Sequence, residues 1–221
     1  MNPRSLSLLI LPISVSLCCC LALPTDRNPE ALSRSVTIYR DTYGVPHVFG
    51  PTDASVVFGF VYAQSEDNFS LIEENYIRAL GRASEIYGEK TLADDLLTKT
   101  LETPRLSVAE YERASSRTRE LCDAVAAGLN YFLLRNPGVK PRIITHFEPW
   151  YLLALIRYQR YQDFVFSLSG VDRKELLATS LNKPLSKESN VWAIGPAKSA
   201  TGHAMLFVNP HDDFLGLKQF Y

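Results

Sequence analysis

Between Asp53 and Phe166 the apolar residues recur at helical spacing in one segment after another; after Leu181 they gather into two short runs of strand character. Helices first and strands last point to an α+β product, or to part of a layered fold. A helix is expected to open at Asp53, and a second, longer one near Ser65, where Glu66 and Asp67 complement a helix N-terminus. Phe69, Ile72, Tyr76, Ile77 and Leu80 carry its periodicity, with Gly88 as the expected stop. Ser107 to Leu134 repeats the pattern through Leu121, Val125, Leu129 and Phe132, and Asn136-Pro137-Gly138 ends it. Pro149 to about Phe166, rich in Leu, Ile and Tyr, is expected to form a further, largely buried helix.

Strands bracket this helical stretch. Ser35 to Arg40 alternates as a strand does, with Val36 and Ile38 against Thr37 and Tyr39. Tyr43-Gly44-Val45-Pro46 has turn chemistry, and His47-Val48-Phe49 resumes an extended segment. Downstream, Val191 to Ile194 and Met205 to Val208 are separated by Gly195-Pro196 and Thr201-Gly202, the signature of a hairpin. The 221 residues allow one ordinary domain or two small ones. A 46% hydrophobic, 21% charged composition excludes a disordered chain. The 23 Lys and Arg residues are scattered singly against 24 Asp and Glu, so the chain lacks the electrostatic footprint of a nucleic-acid binder.

The first 34 residues address compartment. Arg4 is followed by an apolar run from Leu6 to Leu23, and Cys20-Leu21-Ala22 offers small residues where signal peptidase reads, so residues 1–22 are expected to be a signal peptide. The alternative is an uncleaved anchor of ~18 apolar residues, just long enough to span a bilayer. Pro12 and the serines disfavour it, and no stable membrane insertion is expected. The product is therefore expected to be secreted or periplasmic, with Leu23 to Arg34 as a polar leader. Cys18, Cys19 and Cys20 fall in the removed segment, which leaves Cys122 alone and no internal disulfide. Cys122 sits in a helical pattern, as a structural thiol does, rather than as a nucleophile.

Common catalytic patterns are absent: no Gly-x-Ser-x-Gly, no His-Glu-x-x-His, no cysteine pair at metal spacing and no phosphate-binding glycine loop. His47, His146, His203 and His211 are far apart and form no local ligand set. The informative place is a serine between a polar linker and a strand, in Ser189-Asn190-x-Trp192-x-Ile194-Gly195. Ser199-x-Thr201-Gly202 and Asn209-Pro210-His211 follow it. Together these resemble the autoprocessing junction of the penicillin acylase (penicillin amidase) family, which includes acyl-homoserine-lactone acylases. Arg40-Asp41-x-Tyr43-Gly44-Val45-Pro46-His47 resembles the family's opening motif. Phe58-Gly59-Phe60-Val61-Tyr62-Ala63-Gln64-x-x-Asp67 and Gly81-Arg82-x-x-Glu85-x-x-Gly88 are similar to the next two. The four motifs stand in family order over Ser35 to Tyr221.

The resemblance implies an N-terminal-nucleophile hydrolase, an αββα sandwich, of which this chain would supply the helical α-chain portion and the first β-chain hairpin. It implies cleavage before Ser189, an α chain and linker in residues 23–188, a β chain opening at 189–221, and an α/β heterodimer after processing. Ser189 would be the nucleophile acting on a small-molecule N-acyl amide. Asn190 would help hold the site, His211 would stand near the nucleophile, and Phe164 would line the acyl pocket. Trp192 and His47 are expected to be structural, Trp192 as a core residue. No cofactor and no metal are expected, because Gly170 stands where the family places a calcium-binding glutamate.

The sequence departs from the family pattern at Glu188, where a small residue usually precedes the nucleophile, and at Asp212-Asp213, where an apolar residue and proline usually follow the histidine. The sequence reaches Tyr221, 32 residues past Ser189, whereas family β chains are much longer. The expectation is the N-terminal part of an acylase precursor, with a catalytically inactive truncated member or an incomplete gene product as the alternative.

Overall fold

Residues 29–162 and 189–210 are described by the computed structural model. The described chain opens with α1, Pro29–Ser35, a helix that takes in the last residues of the expected polar leader. Pro29 presets the helical φ at the first position, while Glu30 and Arg34 complement the two ends of the dipole. An antiparallel pair follows, β1 (Thr37–Arg40) and β2 (Pro46–Phe49), in the register Thr37↔Phe49 through Arg40↔Pro46. Thr37, Tyr39, His47 and Phe49 face outward. On the other face the strands approach the next helix so closely that a Cβ on Gly59 would meet Val36 Cγ1 at 2.4 Å and Val48 Cγ1 at 2.8 Å.

That helix, α2, runs Asp53–Ala79 and opens with a capping box in which Thr52 and Ser55 satisfy each other's backbone N–H. The expected separate helix at Ser65 is its second half. The helix breaks only at Asn68, which leaves helical geometry at φ −157°, ψ 63°. Asn68 Oδ1 then accepts from Leu71 N at 3.3 Å and caps the second half, three residues later than the acidic pair suggested. α2 stops before Gly88: Gly81 takes a positive φ of 64°, its N–H donates to Arg78 O, and Arg82 N–H reaches back to Ile77 O. Gly88 instead ends the short α3, Ser84–Tyr87.

After α4 (Leu92–Thr100), the expected continuous helix from Ser107 to Leu134 is two helices, α5 (Thr103–Arg113) and α6 (Ser116–Arg135). Ala114 is extended, and the Ser115 side chain accepts from Thr118 N as an N-cap. α7 spans Tyr151–Arg160 and buries only the stripe containing Leu153 and Ala154; Ile156 is exposed.

The core lies where α2 crosses α6, with α7 and the 139–150 segment closing over it. Gly128 allows the crossing, since a Cβ there would stand 2.8 Å from Phe58 O. Phe69 stacks on Phe132 at 5.4 Å, and Phe147 meets Tyr76 edge-on at 5.3 Å. Each such fully buried side chain contributes roughly 1.5–3 kcal/mol. Farther along the chain, β3 (Ser189–Ile194) and β4 (Met205–Pro210) pair antiparallel from Ser189↔Pro210 to Ile194↔Met205. The predicted hairpin is present, each strand two residues longer than its apolar run. Trp192 is not a core residue: it is exposed and packs only against Phe207 among the described rings, at 5.8 Å.

Candidate functional site

The junction serine stands at the head of a strand. Ser189 is the first residue of β3 and pairs in register with Pro210, the last of β4. Asn190, exposed, pairs with Asn209. His211 follows Pro210 directly in the chain, but His211 and Phe164 both lie outside the described residues, as do residues 1–22, Glu188, Gly170 and Asp212-Asp213. The register thus brings the backbone of 189 opposite the segment that leads into His211.

The three upstream motifs build the frame that carries the helices. Arg40 of the first motif reaches the second: its guanidinium donates to Ala63 O at 3.1 Å, to Glu66 Oε2 at 3.2 Å and to Asp67 Oδ2 at 3.2 Å. It also donates to Gly44 O at 2.9 Å, so a single side chain ties the hairpin turn to α2. Asp41 organises that turn, accepting from Tyr43 N at 2.9 Å and Val45 N at 3.0 Å. His47 Nε2 lies 3.2 Å from Asp41 Oδ2, which is a structural role for this histidine. In the third motif Arg82 forms a bidentate pair with Glu85, at 2.7 and 2.8 Å, that holds the Glu85 carboxyl below the usual range. Buried Asp95 accepts from Ala83 N and Ser84 N and so caps α3.

Sequence reasoning missed Glu73 and Glu74. Glu73, 1% exposed, accepts from Ile143 N and Ile144 N through Oε1 and from Arg142 N through Oε2, each at 3.0 Å. Glu74 accepts from Arg78 Nε, Tyr87 Oη and Arg142 Nη1 at 2.7–2.8 Å. A signal was present, because Phe69, Glu73 and Ile77 are spaced by four and share the buried stripe. Cys122, 1% exposed, is an inert thiol whose pKa burial pushes up to about 11.

Among the described residues, no group of three or more His, Cys, Asp or Glu is placed to hold a metal ion. Among them, too, no helix is long and apolar enough to cross a membrane.

Comparison with known proteins follows the motifs. The family model for penicillin amidase matches residues 35–221. The chain is 26% identical over 243 residues to the penicillin acylase 2 proenzyme of Pseudomonas sp. (strain SE83), covering 83% of this chain and 31% of that protein. It is 28% identical over 230 residues to the acyl-homoserine lactone acylase PvdQ of Pseudomonas syringae pv. syringae, covering 88% of this chain and 29% of that protein. The chain therefore spans about 30% of the length of these curated relatives. A crystal structure of thermostable penicillin G acylase from Alcaligenes faecalis superposes with a TM-score of 0.52 at 18% identity, over 69% of this chain and 94% of that one. That likeness shows the fold, shared with that acylase, here as a mostly helical α+β portion with two small hairpins among the described residues. With the four motifs in order and the family model running through the junction serine to residue 221, this chain belongs to the penicillin amidase family.

Proposed function

We propose that the chain is the N-terminal part of a secreted acylase proenzyme. In this reading the processed protein hydrolyses a linear N-acyl amide with Ser189 as its N-terminal nucleophile. The observation that carries the proposal is the position of Ser189 at the head of β3, in register with the end of β4 and inside the family match. A serine hydroxyl is a poor nucleophile at neutral pH and needs an adjacent base. An α-amino group, with an ordinary pKa of about 7.7–8, is such a base near the operating pH, and it exists only after the preceding peptide bond is broken.

The hydroxyl first attacks the Glu188 carbonyl carbon. The scissile C–N bond breaks as the acyl group moves to oxygen and the amine takes up a proton, and water then releases the ester. The same hydroxyl next attacks the substrate amide, expels the amine and leaves an acyl-enzyme that water hydrolyses, with an oxyanion hole stabilising each tetrahedral intermediate. Asn190 would steady the site, His211 would stand beside it, and Phe164 would line the acyl pocket. The printed names of the relatives support an acyl amide substrate, a penicillin or an acyl-homoserine lactone. Residues 1–22 would direct export, and the cleaved halves would remain together as an α/β heterodimer.

The test is amide hydrolysis by the purified full-length proenzyme that this chain opens, with penicillin G and octanoyl-homoserine lactone. The rate should rise with pH through the α-amino range and disappear in Ser189→Ala. Hydrolysis that survives in Ser189→Ala overturns the nucleophile. A product cleaved before Ser189 but without activity assigns the chain to the inactive alternative.

A further inference from the structure

A pocket of about 280 Å³ lies between α1, β1, α2 and α6, lined by no residue of the β3–β4 hairpin. Val36, Ile38, Phe58 and Gly59 give it apolar walls, and Tyr62, Tyr131, Ser33 and Arg135 supply its polar groups. Phe58 and Tyr62 are four apart on α2, and Tyr131 and Arg135 four apart on α6, so each pair shares a face. The rings of Tyr62 and Phe58 stand 6.0 and 5.6 Å from that of Tyr131.

Arg40 pairs with Glu66 and Asp67, Arg82 with Glu85, and Arg117 with Asp53. Among the described residues no carboxylate pairs with Arg135. A pocket with apolar walls on one side and, at its edge, the Arg135 side chain, which no described carboxylate pairs, is complementary to a ligand with one anionic end and a hydrocarbon body. At ~30 Å³ per water-sized group the volume holds about nine such groups, the size of a medium-chain carboxylate rather than a long fatty acid.

We propose that this pocket binds a medium-chain linear carboxylate, with its chain along Val36, Ile38 and Gly59 and its carboxylate on Arg135. The proposal does not depend on Ser189, so its failure and that of the acylase reading are separable.

The experiment is calorimetric titration of the protein with octanoate and with 1-octanol, together with amide chemical-shift mapping. Octanoate should bind saturably and shift Gly59 and Tyr62. Arg135→Gln should weaken octanoate at least tenfold and leave octanol unchanged; this side chain is exposed, and circular dichroism checks that the variant is folded. Absence of saturable octanoate binding overturns the proposal. So does equal binding by Arg135→Gln, or shifts confined to the exposed Val191–Trp192 surface of the hairpin.

Discussion

Replacing Glu73 by Gln removes a carboxylate and almost nothing else, which makes it a clean probe of what orders the segment after α6. Glu73 is 1% exposed, and its two oxygens receive three backbone N–H groups at 3.0 Å, from Arg142, Ile143 and Ile144. In the variant, the amide oxygen can still serve Ile143 and Ile144, but as a neutral acceptor. The amide nitrogen is left facing the Arg142 N–H, donor against donor. A hydrogen bond to a charged group contributes about 1.5–3 kcal/mol, and a buried donor left unpaired costs about 1–3 kcal/mol. Relief from burying a charge offsets part of this. The net destabilisation should be about 2–4 kcal/mol, read as a lower urea midpoint at unchanged slope. The local readout is sharper: the Arg142, Ile143 and Ile144 amides should exchange with solvent at least roughly 30-fold faster, since 1.4 kcal/mol is tenfold. A variant within 0.5 kcal/mol of the parent, with those amides equally protected, would refute the idea that this carboxylate fixes the loop.

Gly128→Ala should destabilise the protein by about 1–3 kcal/mol by thermal or urea melting, although alanine is the better helix former, because its Cβ meets Phe58 O at 2.8 Å; a gain in stability would show that α2 and α6 can separate freely. Asp41 is held below the usual carboxylate range by the hydrogen bond from His47 and by the Tyr43 and Val45 N–H groups. Its folded pKa is thus lower than its unfolded one, so its contribution is complete above the unfolded value and is lost as pH falls through the folded value. The Tyr43 and Val45 amide shifts should accordingly titrate with a midpoint below the ordinary aspartate value of about 3.9; a midpoint at or above it contradicts the assignment. Cys122 should resist iodoacetamide at pH 8 while the protein is folded and react on denaturation; modification of the folded protein would mean that this part of α6 opens readily.

The parts of the fold legible in the sequence were those written in local chemistry. The opening of α2 at Asp53, the stop at Asn136-Pro137-Gly138 and both hairpins follow from caps, turn residues and periodicity within a few positions. The break at Ser115 was hidden because the serine is an N-cap lying within a continuing helical pattern. The stop of α2 at Gly81 rather than Gly88 turned on which of two glycines, seven apart and both at φ 64°, ended which helix. Trp192 was misplaced because its strand has the composition of a buried one, yet the described residues cover neither face. Nothing local could say that Arg40 grips Glu66 and Asp67, 26 and 27 positions away. The four motifs were visible as patterns, and only the fold shows that three of them are clamps. Of the candidate site, Ser189 and Asn190 were legible down to their strand, whereas Phe164 and His211 rest on the resemblance alone.

The central claim is that Ser189 becomes an N-terminus by its own action, and the most direct measurement is intact-mass analysis with N-terminal sequencing of the purified full-length proenzyme. Beside a fragment ending at Glu188, the account predicts one beginning Ser-Asn-Val-Trp, and a single uncleaved chain from Ser189→Ala. An uncleaved parent, or cleavage at that bond which persists in Ser189→Ala, would contradict it.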